Sequence, residues 1–197
     1  MMKTRLLKCI AMLAIVACCV VAVSAFAEGP CMERVYTKGE KVGPDHAFDV
    51  AFDKDKAGRS FSCGPEMRAS EARKALESFR NGVLYRDQAL MDSVLSYPLT
   101  ARISKTLDVD EKPEVVTIRS FREWAKFQEE RMDKNQIAMV ACANLGNVSI
   151  QAGRSPGFMI GNGMVWFSRY VGSPQVKVSA INLFPVDTEA FVKACIP

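Results

Sequence analysis

The chain has a single histidine, His46, among its 197 residues, and it contains no Cys-x-x-Cys. A Ser-His-Asp triad or an imidazole general base would have to be built on His46. That residue sits in a stretch rich in Gly, Pro and charge, where a solvated loop histidine is the plainer reading. With one imidazole, and cysteines expected to be oxidised, a zinc site lacks ligands. A thiol-redox motif lacks its spacing. Gly161-x-Gly163 has neither the third glycine nor the strand–loop–helix setting of a phosphate cradle, so it reads as a turn. Asp53-Lys54-Asp55-Lys56-Ala57-Gly58 opens like a calcium loop. It carries Ala57 at the fifth position and Gly64 at the twelfth, where ligands are required, and it reads as a charged turn. After Val23 no apolar run is long enough to span a bilayer. These absences predict no catalytic residue, no metal and no cofactor.

What is present begins with a leader. Lys3, Arg5 and Lys8 form a basic start, Cys9 to Val23 is unbroken and apolar, and Ser24-Ala25-Phe26-Ala27 places small residues before Glu28. This is the layout of a secretory signal peptide spanning 1–27. Ile15-Val16-Ala17-Cys18 looks like a lipoprotein box with lipidation at Cys18, but Val20-Val21-Ala22-Val23 continues the apolar run where a polar tether belongs. Cleavage after Ala27 is therefore expected, with a periplasmic or secreted product. Loss of Lys3, Arg5 and Lys8 takes the 26 basic residues to 23 against 22 acidic ones, a net charge of +1. That balance calls for neither nucleic acid nor an anionic membrane, and no transmembrane anchor is expected.

Four of the seven cysteines remain, Cys31, Cys63, Cys142 and Cys195. An even number in an oxidising compartment reads as two disulfides, with three connectivities open. The expected pairing is Cys31–Cys63 with Cys142–Cys195, the first pinning an N-terminal extension over 28–67 and the second tying down the C-terminal tail.

Within the extension Phe48, Val50 and Phe52 alternate with Asp49, Ala51 and Asp53, which predicts a short strand. A helix capped by Ser70 follows, with Ala72, Ala75, Leu76, Phe79 and Val83 on one face. It breaks near Asn81-Gly82 or Tyr85-Arg86, Asp87 caps a second helix, and Pro98 stops it. Strands are expected around Leu99–Ile103 and Val115–Ile118. Ser120-Phe121-Arg122-Glu123 is a capping box. It opens a helix bearing Phe121, Trp124, Ala125 and Gln128, with the charges of 126–134 on a solvated face. A helical piece follows from Ile137. The remainder reads as strands: Val148 with Ile150, a hairpin about Gly161-Asn162-Gly163, and a last strand over 176–183. Asp187 is placed to cap a terminal helix. The fold class is α+β, one domain over 68–197, helices first and then a curled antiparallel sheet.

This order, together with Tyr97-Pro98-Leu99, the hairpin from Gly157 to Phe167 and the later Ala180-Ile181-Asn182, resembles exported bacterial proteins of the nuclear transport factor 2-like (NTF2-like) superfamily over roughly 68–184. The resemblance implies a cone in which helices pack on a curved sheet, and it leaves a homodimer open. It does not give a function, because the fold hosts binding domains, immunity proteins, isomerases and dehydratases.

Aromatic side chains are the candidates for lining such a cone: Tyr97, Trp124 and Trp166, with Arg102 or Asp92 to orient a ligand. For Trp124 and Trp166 the competing reading is plain core. Three functions fit this pattern. The first is a non-catalytic envelope binding protein for a small ligand or a protein partner. The second is an immunity or inhibitor protein that inserts the Gly161-Asn162-Gly163 tip into a toxin or cell-wall hydrolase. The third is an isomerase- or dehydratase-type enzyme using Asp87 or Asp92 in an apolar pocket.

Overall fold

The computed structural model describes residues 31–36, 45–107, 110, 112–154, 156–169 and 175–186. The leader, Cys195 and the helix expected after Asp187 lie outside the described residues.

Two short helices come from the extension, α1 (Met32–Val35) and α2 (His46–Phe52). The second occupies the segment whose alternation predicts a strand, and that expectation is corrected. Phe48 and Phe52 stand four residues apart and stack with ring centroids 4.5 Å apart. The fully buried residue is Asp49, from the polar set. A seven-residue alternation also satisfies the i, i+4 spacing of one helical turn, so its period cannot separate the two states. Asp49 decides the matter, because its carboxylate accepts the Ser70 N–H at 2.6 Å and the Tyr36 hydroxyl.

That contact also changes how the next helix starts. Ser70 was expected as its cap, yet α3 runs Ala69–Tyr85 and Ser70 is buried. The free amides of the first turn are met by carboxylates instead: Asp49 takes the Ser70 N–H and Glu71 takes the Arg68 N–H at 2.8 Å. Arg86, in the left-handed region, ends the helix. Asp87 then caps α4 (Gln88–Val94), accepting from the Leu90 N–H at 3.0 Å as its spacing predicts. β1 (Leu99–Ile103) and β2 (Glu114–Ile118) form a hairpin, and Ser120 caps α5 (Phe121–Arg131). The second half of that capping box lands one residue early, since Glu123 accepts from the Arg119 N–H. α6 (Lys134–Ala141) leads into the meander β3 (Ser149–Gln151), β4 (Gly157–Ile160), β5 (Val165–Arg169) and β6 (Val176–Leu183).

The sheet order is β2-β1-β6-β5-β4-β3. It is mixed, which corrects the expected all-antiparallel arrangement: β6 runs parallel to β1 while the other pairs are antiparallel. The crossover through α5 and α6 is long enough for the chain to return beside β1 in the same direction, which no short hairpin permits. The opposite face is set by one irregularity. Trp166 pairs with Ala180 and Phe167 with Val178, so Ser179 bulges from β6.

The interior between helices and sheet is filled. A chain of rings runs Phe127–Trp124–Phe79–Phe167–Phe158–Phe61, with successive centroids 4.6 to 5.9 Å apart. All six are buried in one continuous core, which also takes in Met67 from the extension. Offset and edge-on contacts at these separations are the favourable ones for aromatic pairs. Cys31 is bonded to Cys63, the pairing expected for the extension. Cys142 is disulfide-bonded as well. Among the described residues no helix is long and apolar enough to cross a membrane.

Candidate ligand-binding groove

Side chains of a strand alternate between faces, so the register decides which residues meet on the side away from the helices. Across that outer face Val115 of β2 stands opposite Arg102 of β1, and Arg102 opposite Asn182 of β6. One step along, Met159 of β4 stands opposite Trp166 of β5, and Trp166 opposite Ala180 of β6. Arg102 and Trp166 are thus two strands apart, about 10 Å. Between them β6 offers only Ser179, Ala180 and Asn182. Small side chains flanked by large ones make a trough, and the bulge widens it by turning two consecutive small residues to the same side. The result is a groove of about 570 Å³ lined by Arg102, Pro156, Trp166, Ser168, Arg169, Ser179, Ala180 and Asn182. That volume lies within the range of small-molecule sites.

The groove is held from below. Asn182 donates from Nδ2 to the Gly163 carbonyl at 2.8 Å, and its backbone N–H donates to the Met164 carbonyl at 2.8 Å. Gly163 has φ +96°, and a Cβ there would stand 3.4 Å from Trp166 Nε1 and 3.7 Å from Met159 Sδ. Those are ordinary contact distances, so the indole edge lies against the hairpin turn, and it is the positive φ that calls for glycine there. On the other side of that turn Gly161 packs against the Met139 thioether. Gly161-Asn162-Gly163 therefore braces Trp166 and lies against α6, with only Asn162 exposed.

Charge on the lining is one-sided. Among the described residues no carboxylate lines the groove, and Arg102, which is exposed, has no ion-pair or hydrogen-bond partner among them. The neighbouring acid on β2, Glu114, is taken by Arg131 of α5 at 3.1 and 3.2 Å. Arg169 is bound to Glu71. Lys177 stands opposite Ser168 on β6 but donates to the Ser93 carbonyl at 2.6 Å. Burial pulls the Lys177 ammonium down from its ordinary value, against the opposing field of Asp92.

The other candidates lie elsewhere. Trp124 is in the core on the helix side, so it and Trp166 face opposite sides of the sheet. Tyr97 packs against the core edge, and its hydroxyl is buried with no hydrogen-bond partner among the described residues. Burial, and then the charge of Asp92, push that phenol up to about 12. Asp92 is exposed and accepts from Gln88 Nε2 at 3.2 Å. Asp87 is exposed and occupied as a helix cap. Neither aspartate has the apolar surroundings that would make it a general base.

Sequence reasoning did not foresee that three acids are buried: Asp49, Asp53 and Asp55. Asp49 closes the start of α3. Asp53 accepts from the Ser62 N–H at 2.9 Å and from the Ser60 and Ser62 hydroxyls. Asp55 accepts from the N–H groups of Ala57, Arg59 and Ile150, each at 2.9 Å, and pairs with Arg59 at 2.7 Å. Burial alone would raise the Asp55 pKa; those donors together hold it below the usual carboxylate range. The two aspartates of the calcium-like stretch thus have their oxygens engaged, on different partners. Among the described residues no group of three or more His, Cys, Asp or Glu is placed to hold a metal ion. His46 lies edge-on to Tyr36 with centroids 5.2 Å apart, beside Asp49 rather than in the groove. The Asp53-x-Asp55 spacing suggests a calcium loop and then a charged turn; that these acids are buried shows only once the extension is folded.

Comparison with protein-family models, with curated proteins and with solved structures returns no match to this chain.

Proposed function

We propose that the chain is an exported, non-catalytic binding protein with an NTF2-like cone, and that it recognises a small ligand on the outer face of its sheet. The observation that carries this reading is the division of space: the ring series from Phe127 to Phe61 fills the interior, and the groove lies on the other side of the sheet. A cone-lining enzyme of the isomerase type would need room where Trp124 and Phe79 stand. An inhibitor that inserts the hairpin tip would need that tip free, and Gly161 and Gly163 are packed. Helix pair, strand pair, helices and meander, with β6 beside β1, support the NTF2-like assignment. Export is supported by the Cys31–Cys63 bond, which persists in an oxidising compartment.

The test is a fragment screen of mixed charge, read on the labelled, oxidised protein by NMR. Shifts are expected to cluster at residues 102, 166–168 and 179–182. Ala180→Leu, which fills the floor of the trough without touching the core, is expected to abolish them. Hits that map to the helix side, or survive Ala180→Leu, would overturn the assignment.

A further inference from the structure

The chemistry of the groove narrows what it can hold, and this step rests on the reading just given. Its wall on β1 is a guanidinium with no partner among the described residues, exposed at the rim rather than sequestered. The wall on β5 is an indole, and among the described residues Trp166 Nε1 has no hydrogen-bond partner. The strands that carry them lie about 10 Å apart across β6, which leaves room between the two side chains for a ring bearing a carboxylate. Ser168 and Ser179 add hydroxyls at the sides; Ser179 already donates to the Trp166 carbonyl at 3.3 Å, which leaves its lone pairs and the whole of Ser168 to a guest.

The count of free cations is the selective feature. Among the described residues, Arg102, Arg169 and Lys177 approach this face, but Arg169 is neutralised by Glu71 and Lys177 is drawn to Ser93 on α4. Among the described residues of the lining, Arg102 remains uncompensated, with no acid beside it. A cationic guest would be repelled by Arg102. A phosphate dianion would find only half its charge answered. A carboxylate matches the planar, two-donor fork of a single guanidinium. The indole, beside Gly163 and across from Met159, offers a flat apolar face already placed along the groove. We infer that the groove takes a small organic monoacid with a flat apolar body, its carboxylate on Arg102 and its body along Trp166.

The experiment is a titration of the oxidised, ¹⁵N-labelled protein with five compounds: benzoate, indole-3-carboxylate, the two matching carboxamides, and inorganic phosphate. The indole N–H signals of Trp166 and Trp124 serve as reporter and internal control. The acids are expected to shift the Trp166 signal saturably and leave that of Trp124 in place. Arg102→Gln is expected to weaken the acids about tenfold or more and leave the carboxamides unchanged, because only the acids use the charge. Arg102 is exposed and unpaired, so its loss leaves the fold intact, and Arg102→Lys is expected to restore part of the affinity. Trp166→Leu is expected to weaken acids and amides alike. Equal binding of acids and amides would overturn the inference while leaving the groove as a binding site. Phosphate binding as tightly as the aryl acids would do the same. If fragments of other charge bind at residues 179–182 and no acid does, the inference fails and the broader reading stands; if nothing of any charge binds there, both fail.

Discussion

Asp55 shows at the scale of one residue how a loop of charges becomes a fixed structure. Its carboxylate gathers three backbone N–H groups and the Arg59 guanidinium, and one of those amides, Ile150, belongs to β3, 95 residues away. Hydrogen bonds to a charged acceptor are worth about 1.5–3 kcal/mol each, and more is lost when a buried donor is left unmet. Asp55→Asn is therefore expected to lower stability by roughly 2 kcal/mol near neutral pH. The sign of the pH dependence follows from the direction of the shift. The folded-state pKa lies below the unfolded one, so the contribution is fully present above about pH 4 and is lost as pH falls through the folded value. Thermal melts of the two proteins should differ widely at pH 6–7 and converge in acid; a constant gap would refute the account. Trp124 poses the opposite case. Its Nε1–H is buried with no partner among the described residues, a cost of about 1–3 kcal/mol already present in the native state. Trp124→Phe removes that donor along with some packing and is expected to be nearly neutral in denaturant unfolding. Trp124→Ala should cost about 3–5 kcal/mol. If Phe is as damaging as Ala, the indole N–H is not the burden assigned to it.

Among the elements, the β4–β5 hairpin carries the tightest steric demand. A Cβ at Gly157 would fall on the carbonyl oxygen of Phe167, inside van der Waals contact with backbone that has no rotamer to move. Gly157→Ala must part the two strands, and with them the Phe158–Phe167 stack at 4.6 Å. Its expected cost is about 3 kcal/mol or more, a core-sized effect from a single methyl. Denaturant titration checks it, and a loss under 1 kcal/mol would mean the strands are not this close. Elements are also where the sequence was most legible. Asp87 and Ser120 announce their helices because a side-chain acceptor next to an apolar periodicity solves a local problem, that of the unmet first-turn amides. Ser70 misled for the same reason: the amides after it were met from a distance, by Asp49 and Glu71. The groove was only half legible. Arg102 and Trp166 stood out by type. That they share a face, and that Trp124 does not, depends on strand register and on the bulge at Ser179, which no local pattern encodes.

For the molecule as a whole, the question is how the extension is bound to the rest. Among the described residues its fastenings include apolar burial of Phe61 and Met67, the Asp49 and Asp55 carboxylates, the Asp45 ion pairs with Arg73 and Lys74, and the Cys31–Cys63 bond. The covalent one closes a separation of 32 residues, for which chain entropy gives about 3–4 kcal/mol. Its loss should be unevenly felt. Cys31 adjoins α1, and α1 leads to Tyr36, whose hydroxyl reaches Asp49, which in turn holds the Ser70 N–H. The Asp55–Ile150 link and the ring series to Phe61 do not pass through that path. The double variant Cys31→Ser/Cys63→Ser is therefore expected to unfold about 3–4 kcal/mol more easily. In native-state hydrogen exchange it should lose protection first at Ser70 and the start of α3. Ile150 and the strands beneath the groove should keep theirs until global unfolding. Binding at Arg102 and Trp166 should survive in the variant at temperatures where it is folded, since among the described residues no hydrogen bond or ion pair joins the groove lining to the extension. Protection lost together at Ser70 and Ile150 would show instead that the extension and the sheet open as one unit. The groove would then depend on the disulfide on the far side of the molecule.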